Sequence, residues 1–276
     1  MLKKENKLLL KSANLRPIKY KGQHFLISKT ILKKIIARAD IKSGETILEI
    51  GPGTGNLTQV LLETGASVVA VEKDQNLVEI LKSKVKSQKL KVVEEDILKF
   101  EEIKINRPYK IVANIPYYLT GQLIQKFLLS QNPPQFMILM VQKEVGERIS
   151  SRPPRANYFS SLVQFLAEPE ILFKVKKENF WPQPKVDSVV IKLTPHHLNK
   201  VRRSFDIVEM KKFIEFLRVV FRQPRQTVFN NLRKNIAIKP EELEKLFKKF
   251  NLTKNTRPQN LNQEQLLEIF KSIMVY

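Results

Sequence analysis

Through the first half of the chain, short apolar runs alternate with stretches whose apolar residues return every three or four positions. Thr46–Ile50, Val68–Glu72, Leu90–Val93, Lys110–Ala113 and Phe136–Val141 are such runs. They read as strands covered on both faces, which need not alternate apolar with polar. Helical spacing fills the gaps. Ile31, Leu32, Ile35 and Ile36 follow a candidate cap at Ser28 in a helix ending near Ala39. Leu57, Val60 and Leu61 mark a helix over 56–64, and Leu77, Ile80 and Leu81 one over 75–85. A further helix is predicted over Thr120–Leu129. The rhythm predicts an α/β fold: a doubly wound, mostly parallel, Rossmann-like sheet.

The pattern then changes. Ile171–Val175 and Ser188–Leu193 read as an antiparallel pair. The connection holds Pro182 and Pro184, which exclude a regular helix or central strand. From about residue 206 the spacing is helical throughout: Phe213, Phe216, Leu217 and Val220; then Leu243, Leu246, Phe247 and Phe250; then Leu266, Leu267, Ile269 and Phe270. The expected organisation is a basic N-terminal arm over 1–22 with room for a short helix, a sheet domain over 23–205 and a small all-α domain over 206–276.

Charge narrows the function. Lysine and arginine total 49 against 27 acids, a net charge of +22 in 276 residues. The excess favours a polyanionic partner, most simply nucleic acid; the bland alternative is incidental lysine-richness. The absence of cysteine excludes disulfides, thiol catalysis and Cys-ligated metal. Of three histidines, His196 and His197 are adjacent, a poor start for a metal site. No run approaches the roughly 18 apolar residues of a membrane span. The lysine-rich start is too weakly apolar for a signal peptide, and Glu5 argues against an organelle leader. A cytoplasmic protein without membrane contact is expected.

Two loops carry candidate chemistry. Glu49-Ile50-Gly51-Pro52-Gly53-Thr54-Gly55 places three glycines after one strand and before a helix. Glycine lets backbone approach a ligand and turn sharply. Dinucleotide enzymes space theirs as G-x-G-x-x-G, and here the third glycine comes one residue early. Glu72 ends the next strand, about 20 residues on, where an acid can accept ribose hydroxyls of NAD or S-adenosylmethionine alike. Asp96, after the third strand, is placed either to accept from an adenine amino group or to cap a turn; Asp74 and Glu95 read as structural. The second loop is Asn114-Ile115-Pro116-Tyr117-Tyr118, at a strand's carboxyl end. An exocyclic amine is a poor nucleophile because its lone pair is conjugated into the ring. The Asn114 side-chain oxygen and the Ile115 carbonyl can accept its two N–H bonds and turn that lone pair out of plane. Tyr117 can stack on a flipped base. Together the loops suggest methyl transfer to a nucleobase.

Those motifs, with Gly22-Gln23-His24-Phe25-Leu26, Gln142-Lys143-Glu144-Val145 and Phe180-Trp181-Pro182-Gln183-Pro184-Lys185-Val186-Asp187-Ser188, give a chain that resembles the ribosomal RNA adenine N6-dimethyltransferase family, in its small-subunit, kasugamycin-sensitivity branch. The resemblance implies S-adenosylmethionine as donor, bound by His24, Leu26, Gly51, Gly53, Glu72, Asp96 and Asn114. It implies two adjacent adenosines near the 3′ end of small-subunit RNA as substrate, each methylated twice on a 30S assembly intermediate by a monomeric enzyme. Asn114 and Tyr117 would position the base, and Phe180 would stack on its other side; from the residues alone Phe180 reads as a loop anchor. One departure stands out. Where the family has F-x-x-R-R-K-T-L-x-N-x-L, Pro224 replaces an arginine and Gln226 a lysine. Pro224 fits the first turn of a helix. Three alternatives stay open: a large-subunit adenine dimethyltransferase of the macrolide-resistance type, a non-catalytic assembly factor, and, disfavoured by the glycine spacing, an NAD-dependent dehydrogenase.

Overall fold

In the computed structural model, the described residues are 2–13, 15, 17, 23–102, 105, 108–196, 205–236 and 238–274. Gly22 and His197 lie outside them. In chain order the elements are α1 (Leu2–Ser12), β1 (Phe25–Leu26), α2 (Lys29–Ala39), β2 (Thr46–Ile50), α3 (Asn56–Glu63), β3 (Ser67–Glu72), α4 (Gln75–Lys84), β4 (Leu90–Glu94), β5 (Tyr109–Asn114) and α5 (Thr120–Leu128). There follow β6 (Met137–Gln142), α6 (Lys143–Ile149), α7 (Tyr158–Leu166), β7 (Ala167–Val175), β8 (Phe180–Trp181) and β9 (Ser188–Pro195). The chain ends in α8 (Ile207–Val220), α9 (Val228–Asn235), α10 (Pro240–Lys249) and α11 (Gln263–Ile273).

The main sheet has seven strands in the order β4-β3-β2-β5-β6-β9-β7. Pairing is parallel from β4 to β6, with Leu48 opposite Val69 on one side and Ile111 on the other. β9 is antiparallel to β6, with Gln142 opposite Ser188. Ile47, Leu48, Ile111 and Val112 are fully buried, which explains why central strands read as unbroken apolar runs. From β2 the chain runs outward to β3 and β4, then returns to β5 on the opposite flank. The carboxyl ends of β2 and β5 therefore frame the switch point at which open α/β sheets bind ligands.

The contacts divide the chain into two units: residues 1–146 with 169–195, and residues 147–168 with 196–276. The helical unit thus takes in α7 as well as the segment expected from 206. Phe165 of α7 explains this: its ring lies 4.3 Å from that of Phe213, within a cluster that includes Phe205, Phe216 and Phe270. Capping boxes start α7 at Asn157, α8 at Asp206 and α11 at Asn262. Pro224 does not begin a helix. It lies in the turn between α8 and α9, which the Asn231 amide holds by donating to Val220 O at 2.9 Å and Gln223 O at 3.1 Å. In the sheet unit, α1 is the short helix for which the N-terminal arm had room, and it is docked: Leu2, Asn6 and Leu10 are buried, and Leu10 packs with Phe25, Leu77 and Ile80. The pairing of β1 with β8 is a second feature that periodicity did not announce.

Candidate active site

The glycine-rich loop leaves β2 and enters α3 with Gly53 at φ 56° and Gly55 at φ 76°, a region that L side chains rarely adopt. Space forbids larger residues too. A Cβ on Gly53 would stand 2.8 Å from the Phe25 ring, and one on Gly55 2.7 Å from Leu81 Cδ1. The loop is thereby pressed between β1 and α4. It forms one wall of a cleft of about 650 Å³ whose lining includes His24, Leu26, Gly51, Gly53, Glu72, Asp96 and Asn114.

The acids are held by backbone. Glu72 accepts from the amides of Lys73 at 2.9 Å, Asp74 at 3.0 Å and Gly53 at 3.3 Å. Burial nevertheless raises its carboxyl above the ordinary value, with those bonds opposing the shift. Asp96 fills one of the two roles its position allowed, the turn cap, and also pairs with a lysine. One oxygen caps the following turn by accepting from Leu98 N at 3.0 Å, and the other meets Lys73 Nζ at 2.8 Å. Lys73 and the Leu98 amide together hold its carboxyl low. Asp74 caps α4, as a structural residue should. The lining thus gathers five acidic residues, Glu49, Glu72, Asp74, Glu95 and Asp96, against the single lysine Lys73.

Glu49 is the most perturbed of them. It is buried in the wall, Oε2 finds no hydrogen-bond partner among the described residues, and burial pushes its carboxyl up to about 8, opposed by Thr58 and reinforced by Glu72. Below pH 4.5 it is protonated folded or unfolded and costs nothing. Between 4.5 and about 8 the unfolded chain sheds the proton that the fold retains, so stability declines as pH rises through that window. Glu49→Gln removes this term. Its Tm advantage over the wild type should grow between about pH 5 and about pH 8 and then level off. Parallel Tm–pH curves for the two proteins would contradict the assignment.

Asn114 ends β5 and donates its amide to His24 O at 2.9 Å, leaving Oδ1 as the acceptor end of the side chain. His24 is itself fixed: Nδ1 lies 2.7 Å from Pro182 O, and its ring stacks on Tyr117 at 5.9 Å with a 25° interplanar angle. The Tyr117 hydroxyl lies 2.8 Å from Ser188 Oγ. Burial raises the phenol above its ordinary value, so it stays neutral and is no base near neutral pH. Tyr117, held against His24 and Ser188, is not among the residues lining the cleft, and two further residues depart from expectation. Phe180 is only 2% exposed and belongs to the main core, because β8 pairs with β1 and sets Phe180 opposite Leu26. It does not line the cleft as a stacking surface would. Tyr118, by contrast, lines the cleft and is 65% exposed. Its one signal in the sequence was its place beside Tyr117.

Comparison with known proteins agrees with this geometry. Residues 16–274 match the family model described as Ribosomal RNA adenine dimethylase. The chain is 37% identical over 273 residues to the Ribosomal RNA small subunit methyltransferase A of Malacoplasma penetrans, covering 97% of this chain and 96% of the relative. It is 33% identical over 279 residues to the protein of the same name from Alkaliphilus metalliredigens, covering 98% and 96%. A crystal structure of a dimethyladenosine transferase from Plasmodium falciparum superposes with a TM-score of 0.76 at 26% identity, over 89% of this chain and 96% of that one. A Rossmann-like sheet, a glycine loop that shares a cleft with acids and an amide at the neighbouring strand tip, matched along nearly the whole sequence, place the chain in the ribosomal RNA adenine dimethylase family of S-adenosylmethionine-dependent methyltransferases.

Proposed function

We propose that this enzyme dimethylates N6 of two adjacent adenosines near the 3′ end of small-subunit ribosomal RNA, acting as a cytoplasmic monomer on an assembly intermediate of the 30S particle. The observation that carries the reading is Asn114, its amide committed to His24 O and its oxygen available at the rim of an acid-lined cleft.

The cleft suits the donor. Its volume of about 650 Å³ lies within the usual range for small-ligand sites. Its carboxylates complement a molecule that carries an ammonium and a sulfonium. Glu72 would accept the ribose hydroxyls and Asp96 the adenine amino group. The positive-φ turns at Gly51 and Gly53 would let backbone meet the methionine end, beside His24 and Leu26. S-adenosylmethionine, when bound, supplies an electrophilic methyl carbon. The chain's own residues do the rest. Asn114 Oδ1 and the Ile115 carbonyl accept from the target amine and direct its lone pair, Pro116 holds the turn, and Tyr117 positions the ring. After transfer the nitrogen is acidic, and no strong base is required. The rate gain comes from orienting an in-line displacement.

Mass mapping of methylated adenosines in ribosomal RNA from cells with and without this chain tests the proposal. Loss of a dimethylated adenosine pair from small-subunit RNA is expected; loss confined to large-subunit RNA would redirect it. The +22 charge adds a second expectation. RNA affinity should fall on the order of 10³-fold over a fourfold rise in salt for a footprint of about six phosphates. A flat salt response would make the charge incidental.

A further inference from the structure

Lys84, the last residue of α4, has a side chain only 6% exposed. Its ammonium has two hydrogen-bond acceptors and one ion-pair partner. It donates to Thr54 O at 2.9 Å and Asn56 Oδ1 at 2.9 Å, and Glu5 Oε1 of α1 stands 3.7 Å away. Asn56 passes the constraint on: with Oδ1 taken by Lys84, its Nδ2 donates to Leu26 O at 2.9 Å. Thr54, Asn56 and Leu26 all line the cleft, whereas Lys84 does not. One buried cation therefore ties the glycine loop, the start of α3, strand β1 and helix α1 together. An apolar side chain at 84 would leave Thr54 O without that donor and the Asn56 amide free to turn. The close packing of Gly55 on Leu81, one turn earlier in α4, holds the same surfaces together from the apolar side.

We propose that Lys84 is a positioning residue for methyl transfer: it fixes the glycine loop in its donor-binding shape, and α1 holds it there through Glu5. The proposal rests on the donor site described above. It also gives the N-terminal helix a part in donor binding although none of its residues lines the cleft.

Calorimetry on the full chain, titrating S-adenosylmethionine and S-adenosylhomocysteine, is the test, with Glu72→Ala as the control for the site itself. Lys84→Met should bind both ligands ~10-fold or more weakly, the expected scale for a lost charged hydrogen-bond donor. The KM for donor should rise in step, while kcat at saturating donor stays within about twofold and RNA affinity is unchanged. Lys84→Arg should recover part of the loss. Should Lys84→Met fail to fold, Glu5→Lys sets a like charge at the exposed end of the network and should weaken donor binding by ~3-fold or more. A folded Lys84→Met or Glu5→Lys protein with wild-type donor affinity overturns the proposal, provided Glu72→Ala has lost affinity. If Glu72→Ala also binds normally, the donor site itself is misplaced.

Discussion

Asn114→Ala is expected to lower turnover by ~10²–10³-fold, the usual loss when one preorganised polar partner of a reacting group is removed. Donor affinity should weaken only in part. The reason is the division of labour in the amide: its NH2 is spent on His24 O at 2.9 Å, so in the proposed role its oxygen is the end left for the target amine. Alanine removes the acceptor and also releases the backbone of His24, a residue of the donor wall. The two consequences separate in kinetics. Single-turnover methylation at saturating donor reports the acceptor, and equilibrium donor binding reports the His24 anchor. Near-normal single-turnover rates would remove Asn114 from the chemistry and leave it a structural tie. Asn114→Asp sharpens the comparison: it keeps an oxygen but loses the donor to His24 O.

Glu72→Ala should cost the donor ~2–3 kcal/mol of binding free energy, the scale of a charged hydrogen-bond acceptor, or about 30–150-fold in Kd. Calorimetry reads this directly. The loss has two sources that point the same way. The ribose would lose its acceptor, and the amides of Gly53, Lys73 and Asp74 would lose theirs, so the loop is loosened as well. Glu72→Gln keeps an acceptor oxygen for those amides and should fall between the two. Unchanged affinity in Glu72→Ala would refute the ribose assignment.

The sequence made the central sheet legible because its strands are buried on both faces, and such strands announce themselves as uninterrupted apolar runs: Thr46–Ile50 is the same in both readings. Glu72 and Asn114 were legible for a related reason. A polar residue closing an apolar run marks a strand's carboxyl end, where ligands gather. What escaped notice depends on distant partners. β1 and β8 are two residues each, too short for any period, and meet across the length of the sheet unit. That pairing takes Phe180 into the core, although a phenylalanine beside prolines reads from the residues alone as a loop anchor. Helix α7 is apolar on most sides, so spacing gave it no face, yet Asn157 followed by Ser160 was an available start signal. Lys84 looked like one lysine among many, and only its burial under the glycine loop distinguishes it.

Glu72, Asp74, Glu95 and Asp96 line the cleft beside the protonated Glu49, within a protein of net charge +22. Polyphosphate is drawn to the exterior and repelled at the threshold of the chamber. Under the proposed function the strand would stay outside and extend a single neutral heterocycle inward, so the same electrostatics that capture the polymer would sort which part of it enters.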